Sequence, residues 1–137
     1  MIVCDTGPLV AVLNRNDADH QRCLDLLETH PGPVLVPGPV LGEVCYFLET
    51  RVGPSAEALF LESIANEEIE LVDLTRTDLL RMAELVRKYA DFPLGAVDAA
   101  VLAVAERLDV NEVATLDRRH FSAVRTRHRA PLRLLPD

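Results

Sequence analysis

Short runs of consecutive apolar residues alternate along this chain with longer stretches in which apolar residues recur at helical spacing. Such short runs predict strands that are buried on both faces. We predict strands at residues 2–4, 34–36, 69–74, 112–116 and 132–135, the last at a sheet edge. Helices are predicted at residues 9–13, 17–30, 39–51, 55–66, 75–90 and 97–108. This alternation implies an α/β fold with a mostly parallel sheet of four to five short strands and helices on both faces.

The sequence predicts how two of these helices, at residues 75–90 and 97–108, pack on the core. Thr75 followed by Asp78 is typical of a capping box at a helix start. After it, an apolar stripe that includes Leu79, Met82 and Val86 is predicted to face the core. The helix at residues 97–108 is apolar nearly all round, so we expect it to lie deep in the protein.

Length and composition indicate an ordinary globular protein. The 137 residues fit a single domain, residues 1–137, and 49% hydrophobic with 26% charged residues is a typical balance. No apolar run approaches the roughly 20 residues that cross a bilayer. The chain enters its first strand almost at once, without a basic leader. We therefore expect a cytoplasmic protein that is not bound to a membrane.

The cysteines and histidines do not show the spacing of a metal site. Cys4, Cys23 and Cys45 form no CxxC pair, so we interpret them as small apolar residues of the core. The histidines show no HExxH spacing, which disfavours zinc. His120 and His128 lie among arginines, where a surface or phosphate-contacting role fits better than acid–base catalysis.

Four acidic residues are placed where an α/β fold would bring them together. Asp5 and Asp117 follow predicted strands, whereas Glu43 and Asp98 lie on largely apolar helices. Ligands of such folds bind beyond the carboxyl ends of the strands. Close carboxylates repel one another and resist burial, so a divalent cation explains their convergence better than folding does. The alternative is a set of helix caps and turns, which Glu43 fits poorly because its neighbours are apolar.

The charge of the chain is unevenly distributed. Residues 118–133 contain six arginines and no acid, a formal charge of +6. Since the net charge of the chain is −8, the remaining residues together carry −14. A basic face beside an acidic centre suits RNA. We predict possible RNA contacts at Arg118, Arg119, Arg125, Arg127 and Arg129. A solvated edge without a partner is the alternative.

These acids and their neighbours resemble the pattern of a PIN domain. The resemblance rests on Asp5-Thr6, Glu43, Asp98, Thr115-Leu116-Asp117 and Phe121. It covers essentially the whole chain, and the length and element order are most similar to the VapC toxins of toxin–antitoxin pairs. It implies a PIN-like three-layer fold and an endoribonuclease that depends on Mg²⁺ or Mn²⁺. The metal-binding and catalytic acids would be Asp5, Glu43, Asp98 and Asp117.

The resemblance also implies supporting residues and partners. Thr6 and Thr115 would support the acids through their hydroxyl groups. The substrate would be RNA, and the protein would form a homodimer that a VapB-like antitoxin inhibits. An antitoxin would lay an amphipathic helix or an extended tail into a groove. The helices at 39–51 and 55–66 are candidate surface for either interface.

One departure from the family affects the expected metal content. Some PIN relatives carry a further acid just after the position of Asp117, where this chain has arginines and His120. We therefore expect a second ion to bind weakly or only with substrate phosphate. Asp91 is interpreted as a loop or helix-end residue, with the site as the alternative. Exposed helix faces are predicted for Glu49, Glu84 and Glu106.

Two other functions use similar residues. A catalytically silent PIN-type scaffold would bind RNA or protein without cleaving it, although the four acids are all present. A phosphoaspartate enzyme would need a second acid where Gly7 stands, and a receiver domain would need a late lysine, whereas the single lysine is Lys88. Both phosphoaspartate alternatives fit poorly. With aromatic residues at 4%, the sequence does not suggest an extended stacking platform for bases.

Overall fold

A parallel sheet forms the centre of the protein. The computed structural model describes residues 1–128 and 130–137. Within these residues the strands are β1 (Ile2–Cys4), β2 (Val34–Pro37), β3 (Glu70–Val72), β4 (Glu112–Ala114) and β5 (Arg133–Leu135). Their order across the sheet is β3-β2-β1-β4-β5, and every neighbouring pair is parallel. The predicted α/β class is confirmed, as is the edge position of the last strand.

Seven helices in the described part of the chain flank this sheet. They are α1 (Thr6–Leu13), α2 (His20–Thr29), α3 (Gly38–Arg51), α4 (Pro54–Ala65), α5 (Arg76–Lys88), α6 (Ala96–Leu108) and α7 (Arg118–Ala123). The helices α1 to α4 pack on one another in sequence, and α5 packs along α6. Because helices cover the sheet, its inner strands are apolar on both faces.

The most apolar elements occupy the middle of the protein, as predicted. Strand β1 lies between β2 and β4, and each of its residues is fully buried. In α6, residues 99–105 are at most 2% exposed, so almost the whole circumference of this helix is covered. Among the helices of the described residues, none has both the length and the apolar character needed to cross a membrane.

Several element boundaries differ from the predictions because side chains form local turns. Helix α1 begins at Thr6, so Gly7 and Pro8 lie in its first turn instead of preceding it. Helix α2 begins at His20, since the Asp17 carboxylate accepts a 2.8 Å hydrogen bond from the Asp19 backbone and holds a turn there. The short helix α7 was not predicted.

Helix α5 confirms one prediction and contradicts another. The capping box between Thr75 and Asp78 is present in both directions. The predicted apolar stripe is wrong in part: Met82 is buried, but Leu79 is 53% exposed and Val86 is 37% exposed. The helix is rotated because Asp78 itself is turned inward, where it accepts hydrogen bonds from Arg107 of α6.

The predicted exposure of Glu106 is also wrong. Its side chain is only 9% exposed and accepts two hydrogen bonds from Arg81, at 2.8 and 3.1 Å. Although burial alone would raise the pKa of Glu106, the Arg81 guanidinium and the Arg127 backbone hold that pKa below its ordinary value. Glu106 therefore ties α6 to α5 and to the C-terminal segment. The exposed positions of Glu49 and Glu84 agree with the prediction.

Candidate active site

The four predicted acids line one cavity at the carboxyl edge of the sheet. Asp5 directly follows β1, and its backbone N–H donates a 2.8 Å hydrogen bond to the Ala114 carbonyl at the end of β4. Asp117 follows β4 three residues later, Glu43 projects from α3, and Asp98 lies in the first turn of α6. The cavity has a volume of about 450 Å³. Parallel strands bring their carboxyl ends to one edge, which explains why residues so distant in sequence meet here.

Asp5 is the most deeply buried of these acids. It is 7% exposed, and its Oδ2 accepts a 2.9 Å hydrogen bond from the Thr115 hydroxyl. Burial raises the pKa of Asp5 to about 6. Hydrogen bonds from the Thr6 backbone and Thr115 lower the pKa, whereas the negative charges of Asp98 and Glu43 raise it further. Asp5 is thus a carboxylate held in a desolvated site where its charge is costly.

Asp98 experiences a similar electrostatic environment. Burial raises its pKa above the ordinary value, and the carboxylates of Asp117 and Glu43 raise it further. A hydrogen bond from the Gly95 backbone opposes this effect. Since Asp5 responds to Asp98 and Glu43, and Asp98 responds to Asp117 and Glu43, the four carboxylates share one electrostatic environment.

The two predicted supporting threonines have different surroundings. Thr115 is 1% exposed; its hydroxyl donates to Asp5 and accepts a 3.0 Å hydrogen bond from the Asp117 backbone. Thr115 therefore holds two of the acids in register. Thr6 is 4% exposed and lines the cavity, and its hydroxyl has no hydrogen-bond partner within residues 1–128 and 130–137. An unpartnered buried hydroxyl is costly, so a polar group bound in the cavity would stabilise Thr6.

Asp117 is engaged by the helix that follows it. Its Oδ1 accepts a 3.2 Å hydrogen bond from the His120 backbone, which caps α7. Its Oδ2 lies 2.6 Å from Nδ1 of the same histidine. The His120 ring packs edge-on against Phe92, with 5.0 Å between the ring centroids. His120 thus fixes the orientation of Asp117 from a position that the sequence assigned to the surface or to phosphate contacts.

The donor chemistry of the cavity fits a divalent cation, because carboxylate and hydroxyl oxygens are the hard ligands that Mg²⁺ and Mn²⁺ prefer. The carboxylates are, however, spaced more widely than the ligands of a single ion. As the side chains lie, no three acidic, histidine or cysteine groups of the described chain are placed to hold an ion. Within this arrangement Asp5 accepts a hydrogen bond from Thr115, and His120 holds Asp117.

Among the other lining residues, three have polar or aromatic side chains that the sequence did not assign to the site. Asp17 reaches it from the loop between α1 and α2, and Phe47 and Arg51 reach it from α3. The spacing on α3 contained a usable pattern, since Glu43, Phe47 and Arg51 are each four residues apart and therefore share one helix face. No comparable pattern marks Asp17, because a loop brings it there.

Two of the predicted RNA-binding arginines have partners within the fold. Arg118 donates hydrogen bonds to the Leu134 and Pro136 carbonyls, at 3.0 and 3.1 Å, and so fastens β5. Arg127 pairs with the Glu84 carboxylate at 2.9 Å. Both guanidinium groups thus have partners within the fold, and the Arg127 side chain is still 65% exposed.

The remaining arginines of that prediction have other surroundings. The Arg119 guanidinium carbon lies 5.8 Å from the centroid of the Phe92 ring, which also packs against His120. Arg125 is exposed and donates its backbone N–H to the Tyr89 hydroxyl at 2.8 Å. Arg129 lies outside the described residues. RNA contact by these arginines stays a prediction.

Two other candidates lie away from the four acids. Asp91 is exposed in the loop before α6 and does not line the cavity. His128 is half-buried, and its Nε2 lies 2.8 Å from the Val110 carbonyl, which fastens the C-terminal segment to the end of α6. Neither residue takes part in the cavity.

Comparison with known proteins identifies the family. The PIN domain family matches residues 2–126. The chain is 33% identical to ribonuclease VapC26 of Mycobacterium tuberculosis (strain ATCC 25618 / H37Rv), over 90% of this chain and 92% of that protein. The crystal structure of M. tuberculosis VapC20, described as a sarcin-ricin loop cleaving toxin, superposes with a TM-score of 0.77, 23% identity, and 82% and 87% coverage of the two chains. The structure of VapBC2 from Rickettsia felis, bound to a promoter DNA fragment, superposes with a TM-score of 0.71 and 16% identity, over 99% of this chain and 100% of that chain. The chain therefore belongs to the PIN domain family, and within it resembles the VapC toxins.

Proposed function

We propose that this chain is a Mg²⁺- or Mn²⁺-dependent endoribonuclease that acts as the toxin of a toxin–antitoxin pair. The observation that carries the proposal is the convergence of Asp5, Glu43, Asp98 and Asp117 on one cavity at the carboxyl edge of the sheet. The 33% identity to a protein named as a ribonuclease supports the same activity. A cluster of partly desolvated carboxylates destabilises a fold, which favours a function that uses it.

In this proposal the four carboxylates hold the divalent cation. When bound, the ion supplies an activated water and stabilises negative charge on the phosphodiester. Thr115 positions Asp5, and His120 orients Asp117, through the hydrogen bonds already described. Thr6 offers its hydroxyl to water or to a phosphate oxygen in the cavity. Cys4 does not compete as a nucleophile, because complete burial raises the pKa of its thiol and keeps it protonated.

We propose that a VapB-like antitoxin binds an apolar groove between α1, α2 and α4. The groove, of about 450 Å³, is lined from these helices and from the residue before β3 by Leu9, Leu13, Leu24, Leu27, Leu59 and Ile69. Leu59 is 58% exposed at the rim of this groove, so a partner could bury it. The groove suits an amphipathic helix or an extended tail. Solved toxin–antitoxin complexes among the structural neighbours support this partner.

We also propose a homodimer. Exposed apolar side chains on α4 and α5 offer surface for it: Leu61 is 45% exposed, Leu79 53% and Leu80 61%. The α4 surface belongs to the predicted candidate helices, whereas α5 was not among them. Burial of such side chains between two protomers is favourable by the area that it removes from water.

RNA cleavage by the purified protein tests the proposed activity. We expect a structured RNA to be cut with Mg²⁺ or Mn²⁺ and to remain intact with EDTA. Glu43→Gln should abolish cleavage, whereas Glu49→Gln, an exposed acid of the same helix, should leave it unchanged. Cleavage that persists in EDTA, or in Glu43→Gln protein, would contradict the metal-dependent mechanism.

The alternative of a catalytically silent RNA- or protein-binding scaffold has one observation in its favour. No three candidate ligands in the described residues are close enough, as they lie, to hold an ion. Calorimetric titration with Mn²⁺ separates the two functions. Binding that is lost in Asp98→Asn protein supports the nuclease, whereas an absence of binding together with RNA affinity supports the scaffold.

A further inference from the structure

Arg51 is a basic residue at the edge of an acidic cavity. It lies in the last turn of α3, two turns beyond Glu43, and lines the same cavity as the four carboxylates. Its guanidinium carbon lies 4.2 Å from the centroid of the Phe47 ring. Stacking on an aromatic ring fixes the plane of a guanidinium group and leaves its edge donors available. Arg51 is therefore an oriented cation.

Although the cavity is acidic, Arg51 forms no ion pair within the described residues. Five carboxylates line it, including that of Asp17, and within the described residues Arg51 is the one basic lining residue. No carboxylate of the described chain lies within 4.0 Å of its guanidinium nitrogens. An exposed guanidinium close to the candidate catalytic acids can bind an anion that those acids would otherwise repel.

A purely structural role explains this arrangement less well. Basic residues near the end of a helix stabilise its dipole or bond its last carbonyls. At the end of α3, however, the backbone N–H groups of Val52 and Gly53 already donate to the Leu48 carbonyl, at 3.0 and 2.8 Å. No hydrogen bond from the Arg51 guanidinium to a carbonyl occurs in the part of the chain described. Its contact is the ring of Phe47.

On the proposed ribonuclease function, we infer that Arg51 is a substrate-positioning residue. Its guanidinium binds the nonbridging oxygens of an RNA phosphate on the α3 side of the cavity, and Phe47 sets its orientation. A planar guanidinium fork matches the two oxygens of a phosphate. The strand is thereby held with one phosphate at Arg51 and a neighbouring phosphodiester at the four acids.

The inference is tested by RNA affinity as a function of salt. Fluorescence anisotropy is measured with a fluorescein-labelled, mixed-sequence RNA oligonucleotide in millimolar Mg²⁺. All variants are made in Asp98→Asn protein, so that the RNA stays intact. Arg51→Ala should lower the affinity roughly tenfold, as expected for one charge-assisted hydrogen-bonded contact. It should also reduce the slope of log affinity against log salt by about 0.7, the contribution of one phosphate contact to a single strand.

Two further substitutions, one at Arg51 and one at Phe47, distinguish charge from geometry. Arg51→Lys should restore the salt slope but only part of the affinity, because lysine keeps the charge without the planar fork. Phe47→Leu should lower the affinity and leave the slope unchanged, since Arg51 is still present but less well oriented. A slope that falls equally in Arg51→Ala and Arg51→Lys protein would overturn the phosphate contact.

Arg76→Ala is the matched control. Arg76 is also exposed, in the first turn of α5, and it forms no ion pair within the described residues. That turn is remote from the cavity, because Asp78 in it binds Arg107 at the end of α6 opposite Asp98. Equal losses of affinity in Arg51→Ala and Arg76→Ala would show an effect of net charge alone and overturn the inference.

The remaining outcomes distinguish a failure of the Arg51 positioning role from a failure of the proposed ribonuclease function. If the parent protein cleaves RNA and Arg51→Ala changes neither the affinity nor KM, the positioning role is wrong and the ribonuclease function stands. If Arg51→Ala lowers the melting temperature without changing RNA affinity, Arg51 has a helix-stabilising role instead. A parent protein that neither binds nor cleaves RNA overturns both proposals.

Discussion

Replacing Asp5 with asparagine should stabilise the metal-free protein near neutral pH while abolishing RNA cleavage. Asp5 is 7% exposed, and burial together with nearby carboxylates makes its ionised form costly. Asparagine has nearly the same shape and keeps an oxygen that can accept the hydrogen bond from Thr115. The substitution therefore removes the charge with little change in packing.

The size and the pH range of the effect follow from the raised pKa. One pKa unit corresponds to about 1.4 kcal/mol. A rise from 3.8 to about 6 makes ionised Asp5 lower the free energy of unfolding by about 3 kcal/mol. Because the folded pKa is the higher one, the favourable contribution is fully present below the unfolded pKa and is lost as pH rises through the folded pKa. Asp5→Asn should match the parent near pH ~4 and exceed it by up to about 3 kcal/mol at pH ~8.

Urea unfolding in EDTA at several pH values measures this difference. Asp91→Asn is the control: this acid is exposed and lies outside the cavity, so its substitution should change stability by less than about 0.5 kcal/mol at any pH. Mg²⁺ should then stabilise the parent more than Asp5→Asn protein, because an ion that binds only the folded state shifts the unfolding equilibrium. If Asp5→Asn protein is less stable than the parent at pH ~8, by an amount that does not vary with pH, the shared acidic site is refuted.

Three other predictions follow from the contacts described. Asp78→Ala should lower the free energy of unfolding by about 2 kcal/mol, because it removes the capping box and the partner of Arg107, whereas Glu84→Ala should change it little. Burial alone would raise the pKa of Asp78, but Arg107 and Thr75 hold that pKa below its ordinary value. The contribution of Asp78 to the free energy of unfolding is therefore present above the unfolded pKa and is lost as pH falls through the folded pKa. Urea unfolding from pH ~7 to ~2 tests this pH dependence. Arg125→Ala should reduce the salt slope of RNA affinity by about 0.7 if its exposed guanidinium contacts a phosphate, and an unchanged slope would contradict that contact. Sedimentation at micromolar concentration should show a dimer, and a strict monomer would contradict the proposed homodimer.

The sequence determined the sheet and the convergence of the four acids. Strand β1 is an unbroken apolar run, and such a run is stable only when covered on both faces, so its place in the sheet follows from composition and order. Asp5 and Asp117 follow strands directly, and parallel strands leave such residues at one edge. The predicted sheet is confirmed and the four acids line one cavity, because both follow from local periodicity and from a general property of α/β sheets.

The tertiary structure alone decided which side chains pair and which helix faces turn inward. Helix α5 turns Asp78 inward and leaves Leu79 exposed because Arg107, distant in sequence, provides the partner. In the same way, Glu84 engages Arg127, which the sequence had assigned to RNA, and Phe47 stacks under a cation that lines the cavity. Charge and apolar patterns are local quantities, whereas an ion pair or a stacked cation depends on the distance between residues that only packing brings together.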